Sequence, residues 1–243
     1  MTDTIQPSAE FVTLLEPNSV ASEAYKTLRT NISLKDFDSN IKVINVISST
    51  AGESKSTTSI NLAYVYSQLK KKVLLIDLDL RKPSLHKKLK LKNKLGVVDV
   101  VTYHAKFADA LVRYGNCFDI LLAGQETPYA SELIQSESFK KFISACRSAY
   151  DIVIIDCPPI NLVTDGMIVS TYTDGTILCV CSGRVDKRDL QHAKDQLEQF
   201  NVNVLGVVMT RVPIEKKGYG YGGYGYGYGY GYGYYGDKKK KNK

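Results

Sequence analysis

Lys42-Val43-Ile44-Asn45-Val46-Ile47-Ser48-Ser49-Thr50-Ala51-Gly52-Glu53-Ser54-Lys55-Ser56-Thr57 is the stretch on which the fold turns. Its first half is a β-branched run, Lys42 to Ser49, and it reads as a strand. From Lys55 to Lys70 the pattern is helical. A strand that passes through a tight turn into a helix aims several free backbone N–H groups at one point, a natural place for a phosphate. Lys55 suits the β/γ oxygens of a nucleotide, and Ser56 supplies a hydroxyl for Mg²⁺ at the start of the helix. The plain GxxxxGK[ST] pattern fails at both glycines, where this chain has Ser49 and Ser54. The alternative is an ordinary strand-to-helix turn with a serine cap.

Outward from this stretch, strand and helix patterns alternate. Further strands are expected at Lys72–Asp77, Phe118–Leu122, Asp151–Asp156, Thr176–Cys181 and Val204–Met209. Helices are expected at Ser19–Ile32 with Ser22 as cap, Ser136–Ala149, Val163–Thr171 and Asp186–Phe200, with short helical pieces over 83–112. Several strands are apolar without polar alternation, as in a parallel sheet covered on both faces. The expected fold is a doubly wound, mostly parallel α/β domain of the P-loop NTPase type. In such sheets ligands bind at the carboxyl ends of the strands.

Those ends carry acids. The second strand runs into Asp77-Leu78-Asp79-Leu80-Arg81, and the fourth ends Ile154-Ile155-Asp156. A lone Asp there is more often a cap. Three from two strands, beside a Lys-Ser pair, point instead to carboxylates that hold Mg²⁺ or its waters.

Composition separates a body from a tail. The chain has 243 residues, 44% hydrophobic and 23% charged, which fits one or two globular domains. Nine of its 17 tyrosines lie between Tyr219 and Tyr235, and ten of its 18 glycines between Gly218 and Gly236. Residues 214–243 carry +5 of the net +7, so the body has only +2 and is no basic nucleic-acid binder. The expected division is a flexible arm over 1–18, a domain over 19–213 and a disordered Gly/Tyr tail over 214–243 with a Lys-rich end. The five cysteines (117, 146, 157, 179 and 181) include no CxxC and read as buried reduced thiols. His86, His104 and His192 show no metal-ligand spacing. No apolar run reaches the length of a membrane span, and Met1–Glu10 has no signal-peptide core, so a cytoplasmic location is expected.

These residues together resemble the bacterial tyrosine kinases of Gram-positive capsule and exopolysaccharide clusters, over roughly 19–243. Ser49–Thr57 looks like the family's Walker A motif, Asp77–Arg81 like its Walker A′ motif and Ile154–Asp156 like its Walker B motif. The tyrosine cluster matches the family's other mark. The resemblance implies an ATP- and Mg²⁺-dependent kinase that phosphorylates its own tail at Tyr219, Tyr221, Tyr224, Tyr226, Tyr228, Tyr230, Tyr232, Tyr234 and Tyr235. Gly52, Glu53, Ser54, Lys55, Ser56 and Thr57 would bind the phosphates. Ser56, Asp79 and Asp156 would hold Mg²⁺, and Asp77 would accept the tyrosine proton. Arg81 would steady developing charge or pair with a carboxylate. The family's oligomerisation motif falls on Glu23, Lys26 and Arg29, which share a helix face and would otherwise be a solvated face with local ion pairs. A ring-like homo-oligomer is implied, with a membrane-bound co-polymerase-type activator that brings the kinase to the inner face of the membrane, and a cognate tyrosine phosphatase.

Three departures stand out. Ser54 replaces the glycine before the loop lysine, Ala51 replaces a proline, and Thr210 stands where related ATPases often carry an adenine-reading Asn. Ser54 and Thr210 motivate one rival, a catalytically weak adaptor. A second rival is a partition-type ATPase on a similar fold. The missing lysine at Thr50 and the tyrosine tail argue against it. A third is that the tail acts alone as a sticky segment, its rings on one face of a strand.

Overall fold

A computed structural model of the chain describes residues 8–36, 41–115 and 117–213. The chain divides into two units, 1–212 and 213–243. Only Pro213 of the second is among the described residues, so the expected tail at 214–243 lies outside them.

In the first unit, strands β1 (Val43–Ser48), β2 (Val73–Asp77), β3 (Leu111–Tyr114), β4 (Phe118–Leu121), β5 (Ile152–Asp156), β6 (Gly175–Cys181) and β7 (Val204–Thr210) form one sheet. Their order is β3-β4-β2-β5-β1-β6-β7. Every neighbouring pair is parallel except β3 with β4. The helices are α1 (Val12–Leu15), α2 (Val20–Lys35), α3 (Lys55–Ser67), α4 (Leu85–Lys88), α5 (Val97–Val101), α6 (Phe107–Ala110), α7 (Ala130–Gln135), α8 (Glu137–Ala149), α9 (Asp165–Ser170) and α10 (Lys187–Gln199).

The inner strands are apolar throughout because each face has its own core. Val43, Ile47, Leu74, Ile76, Val153 and Ile155 join Val97, Phe139 and Ala193 on one face. Ile44, Val46, Leu75, Ile152 and Ile154 join Ile32, Ile60 and Leu85 on the other. Successive side chains of one strand thus feed opposite cores, which is why polar alternation is missing. The central strand β1 lies between β5 and β6. It runs directly into the phosphate loop and α3, so the loop sits where the strand order reverses.

Four local readings need correction. The cap of α2 is Ser19, whose side chain accepts from the Ser22 N–H at 3.2 Å. Ser22 is buried inside the helix and its hydroxyl donates to the Glu16 carbonyl at 2.6 Å. Helix α3 ends at Ser67, before Lys70, which takes a left-handed φ of 59°. Residues 111–114 are the strand β3, although the expected short helical pieces reached to 112; Gly115 takes a left-handed φ of 55° where the chain turns back to β4. Finally, residues 8–18 are not a free arm. Phe11 is fully buried, and Thr13 is tied to Asn61 of α3 at 2.9 Å.

All five cysteines are free; Cys146, Cys157, Cys179 and Cys181 are buried as expected, and Cys117 is only half-buried. Burial pushes the Cys146 and Cys179 thiols up to about 12. No described helix is long and apolar enough to cross a membrane.

Candidate active site

The loop between β1 and α3 holds its shape through two left-handed residues and one buried acid. Gly52 has φ +82°, a left-handed conformation that favours glycine; a Cβ there would lie 2.9 Å from the Arg184 guanidinium, a side-chain end that could shift aside. Ser54 also adopts the left-handed region, at φ 64° and ψ 23°. The missing glycine therefore leaves the loop's turn in place and appears as backbone strain of about 1 kcal/mol. Ser54→Gly is expected to stabilise the protein by no more than about 0.5 kcal/mol, because the greater freedom of glycine in the unfolded chain offsets most of the relieved strain. Urea unfolding of the two proteins measures this.

Glu53 was expected among the phosphate ligands. Its side chain instead faces into the protein, fully buried. One carboxylate oxygen accepts from the Ser49 hydroxyl at 2.6 Å, and the other from the Cys181 N–H at 3.2 Å. Only its backbone remains available to a phosphate. Thr210 donates its hydroxyl to the Glu53 carbonyl at 3.0 Å, so it braces the loop from the end of β7.

Below the loop lies a buried charge cluster. Lys55 Nζ is 3.0 Å from Asp79 Oδ2 and 3.7 Å from Asp156 Oδ1. Burial alone would lower the lysine pKa. The charges of Asp156, Asp79 and Asp77 outweigh it and hold Lys55 firmly protonated. Ser59 donates to Asp156 Oδ1 at 3.4 Å, and the Ser56 and Ser84 hydroxyls meet at 2.9 Å.

Asp77 lies behind Asp79. It is fully buried, and its carboxylate accepts from the backbone N–H groups of Asp79 (3.3 Å), Ser84 (3.2 Å) and Leu85 (3.0 Å). Burial, and after it the Asp156 charge, push its carboxyl up to about 8. Burial also raises Asp156. Asp79 is the acid that lines the cleft of about 400 Å³ over the loop, together with Lys55, Ser56, Thr57 and Lys88. So the residue expected to take the proton is enclosed in this conformation, and its neighbour opens onto the cleft.

Arg81 pairs with a carboxylate in this structure, one of its two expected roles. Its Nε is 2.7 Å from Asp165 Oδ2 at the start of α9, and its Nη2 donates to the Ser131 hydroxyl of α7 at 2.9 Å. It ties the turn after β2 to two helices. On the face of α2, Lys26 pairs with Glu23 at 2.7 Å, and Arg29 donates to the Val65 carbonyl of α3 at 2.5 Å. All three side chains are at least partly exposed. The tail tyrosines lie outside the described residues.

Some neighbours of the site were not foreseen. Arg184 follows β6 and Arg211 follows β7, where the rule about strand ends would have found them. Lys88 sits in a lysine-rich stretch with no periodic signal. Glu10, whose carboxylate accepts from Thr57 Oγ1 and Lys88 Nζ, belongs to the supposed arm.

The donor set fits Mg²⁺. Asp156 Oδ2 is buried and has no hydrogen-bond partner among the described residues, which leaves a lone pair free. No group of three His, Cys, Asp or Glu among the described residues is arranged to hold a metal alone. At nucleotide sites one or two carboxylates share Mg²⁺ with phosphates and water.

A doubly wound sheet with a phosphate loop at its reversal point, a lysine and carboxylates defines a P-loop nucleotide enzyme. Residues 41–182 match the AAA domain family model. The chain is 37% identical over 206 residues to the tyrosine-protein kinase YwqD of Bacillus subtilis, covering 84% of this chain and 87% of that protein. It is 38% identical over 202 residues to the tyrosine-protein kinase CpsD of Streptococcus pneumoniae, covering 82% and 88%. Among solved structures it is similar to the chimerical protein CapA2B2, with TM-score 0.82, 32% identity and coverage of 86% and 93%. It is also similar to the kinase domain of the Escherichia coli tyrosine kinase ETK, with TM-score 0.79, 26% identity and coverage of 89% and 86%. The chain belongs to the bacterial protein-tyrosine kinases of capsule and exopolysaccharide synthesis.

Proposed function

We propose that this kinase transfers the γ-phosphoryl group of ATP to tyrosines of its own tail, between subunits of a ring-like homo-oligomer. The reading rests on one conjunction: a phosphate-loop lysine flanked by two carboxylates, in a chain with nine tyrosines between Tyr219 and Tyr235. Phosphates entering the cleft take Lys55 from Asp79 and Asp156. The N–H groups of residues 52–57 and the Thr57 hydroxyl bind at the helix N-terminus. Ser56, Asp79 and Asp156 would hold Mg²⁺, which neutralises phosphate charge.

The acceptor hydroxyl then meets Asp79. The phenolic oxygen forms the new bond to the γ-phosphorus, and the bond to the β-γ bridging oxygen breaks with its electrons leaving on ADP. The phenol has a pKa near 10 and releases its proton to the Asp77–Asp79 pair. Asp77 comes within reach of the acceptor only when the turn from Asp79 to Leu85 opens, which also relieves the burial that raises its carboxyl. Arg81, bound to Asp165 and Ser131, positions that turn.

Some 20 Gly-rich residues reach about 25 Å as a coil, enough to deliver a tyrosine to a neighbouring site. Nine phosphotyrosines would bring roughly −14 to −18 of charge against the tail's +5. Phosphorylation should therefore loosen the oligomer, whose contacts include Glu23, Lys26 and Arg29. In this reading the cycle controls polysaccharide synthesis, chain length or export. A membrane-bound co-polymerase-type protein activates the kinase at the inner membrane face, and a tyrosine phosphatase resets it.

The test mixes two proteins with ATP and Mg²⁺: one inactivated by Lys55→Met but with its tail, the other active but lacking 218–236. Mass mapping should find phosphate on the tail of the inactive chain, more of it when the partner's cytoplasmic peptide is added. Light scattering of the fully phosphorylated full-length protein should give smaller species. An unlabelled inactive chain would overturn transfer between subunits, and an unchanged size would overturn the charge argument.

A further inference from the structure

Thr57 and Lys88 form an anion subsite that the chain fills with its own carboxylate. We propose that Glu10 stands in for a nucleotide phosphate at this subsite and that ATP or ADP displaces it, which makes Lys88 a phosphate-binding residue and Glu10 an internal competitor. This rests on the reading of the loop as the nucleotide site.

Glu10 Oε2 accepts from both Thr57 Oγ1 and Lys88 Nζ, and those two donors are 3.5 Å apart. Both residues line the same cleft as Lys55 and Ser56. Thr57 lies in the first turn of α3, where unpaired N–H groups favour negative charge. A carboxylate oxygen and a phosphate oxygen make the same demand on such a site, an anionic acceptor facing an ammonium and a hydroxyl. Two cations surround the position. Lys88 bonds Glu10 and its charge extends to Asp156 on the floor of the site. Arg211, whose charge also acts on Glu10, donates to the Ser54 hydroxyl on the loop. Burial would raise the Glu10 carboxyl, but Lys88 and Thr57 together hold it below the usual range.

Displacement needs no unfolding of the amino-terminal segment. The Glu10 carbonyl accepts from Asn61 Nδ2 at 2.9 Å, and Phe11 anchors the next position in the core. The Glu10 side chain is half exposed, at 49%. It can swing into water while the backbone stays, and Lys88 passes to the phosphate. The exchange costs one partly exposed ion pair, a modest penalty on nucleotide affinity.

Titration of the full-length protein with ADP and with adenosine tests this. Glu10→Gln should bind ADP about threefold to tenfold more tightly than the wild type, from the loss of one charge-assisted competitor. Adenosine, which has no phosphate, should bind both equally. Glu10→Asp keeps the charge but shortens its reach, and should shift ADP binding the same way should the Gln variant fail to fold. Lys88→Met should weaken ADP binding, and adding Glu10→Gln to it should restore little. ADP binding that is unchanged or weaker in Glu10→Gln and Glu10→Asp overturns the competitor role while the wild type still binds ADP. A wild type that binds no ADP overturns the nucleotide reading of the loop as well.

Discussion

Lys55→Met is expected to abolish tyrosine phosphorylation and to leave a protein whose stability falls as pH rises. The loss of activity follows from charge. Lys55 is the cation at the centre of the loop, and removal of one preorganised donor at a developing charge costs about 10²–10³-fold in rate. Phosphoryl transfer depends almost wholly on such groups, so the loss should be at the upper end or beyond. The stability effect follows from what Lys55 leaves behind. Asp77 and Asp156 are fully buried, and Asp79 nearly so. Burial already raises Asp77 and Asp156, while the Lys55 charge pulls both down. Without the lysine both rise further.

The sign is then fixed by linkage. An acid raised in the folded state binds a proton there at pH values where the unfolded chain has released it. Its contribution is complete below the unfolded carboxylate pKa, near 4, and is lost as pH climbs through the folded value, to about 8 or above for Asp77. At pH 5 the variant can protonate its stranded acids and should differ little from the wild type. At pH 8 the folded variant must either bind protons that the unfolded chain has released or bury unpaired charge, and the deficit should approach about 3–5 kcal/mol. Urea unfolding of both proteins at the two pH values measures the difference. A deficit independent of pH would mean that packing by the lysine stem, and not its charge, holds this site together.

The cluster was readable because each part of it sits at a strand end. Apolar runs that close on Asp77 and Asp156, and a run that opens into Lys55, place all three at one sheet edge by topology alone. What stayed hidden depends on side-chain direction. Glu53 lies in the middle of the loop, yet it turns inward to Ser49 and Cys181, because the loop's own polar groups need an acceptor. Asp77 and Asp79 are two residues apart with the same chemistry. Only the backbone path of the following turn decides that one is capped by three amides and the other faces the cleft. Strand β3 was missed for a different reason. Leu111-Val112-Arg113-Tyr114 is short and sits at the sheet edge, where half-burial leaves a pattern that helix and strand share. Glu10 was missed because composition described its neighbourhood as polar, and a single buried aromatic beside it does not alter a composition.

That aromatic carries the second large effect. Phe11→Ala is expected to cost about 3–5 kcal/mol, the usual range for emptying a fully buried phenylalanine site. The ring is completely enclosed. It meets Tyr64 of α3 edge-on at 5.2 Å, Tyr114 of β3 at 5.4 Å and Phe118 of β4 at 6.4 Å. It thus joins the amino-terminal segment to both the loop's own helix and the edge hairpin. Contacts of this kind add about 0.5–1.5 kcal/mol each beyond buried area, so the loss should not be confined to one element. Hydrogen exchange should quicken in β3 as well as in residues 11–15. A solvated arm would behave otherwise, with a change within about 0.5 kcal/mol and no effect on the hairpin. The same substitution bears on nucleotide binding. Phe11 fixes the backbone from which Glu10 reaches Thr57, so the folded fraction of Phe11→Ala should hold Glu10 less firmly and bind ADP more tightly than the wild type. Stability and affinity would then move in opposite directions, an outcome that simple damage to the fold does not produce.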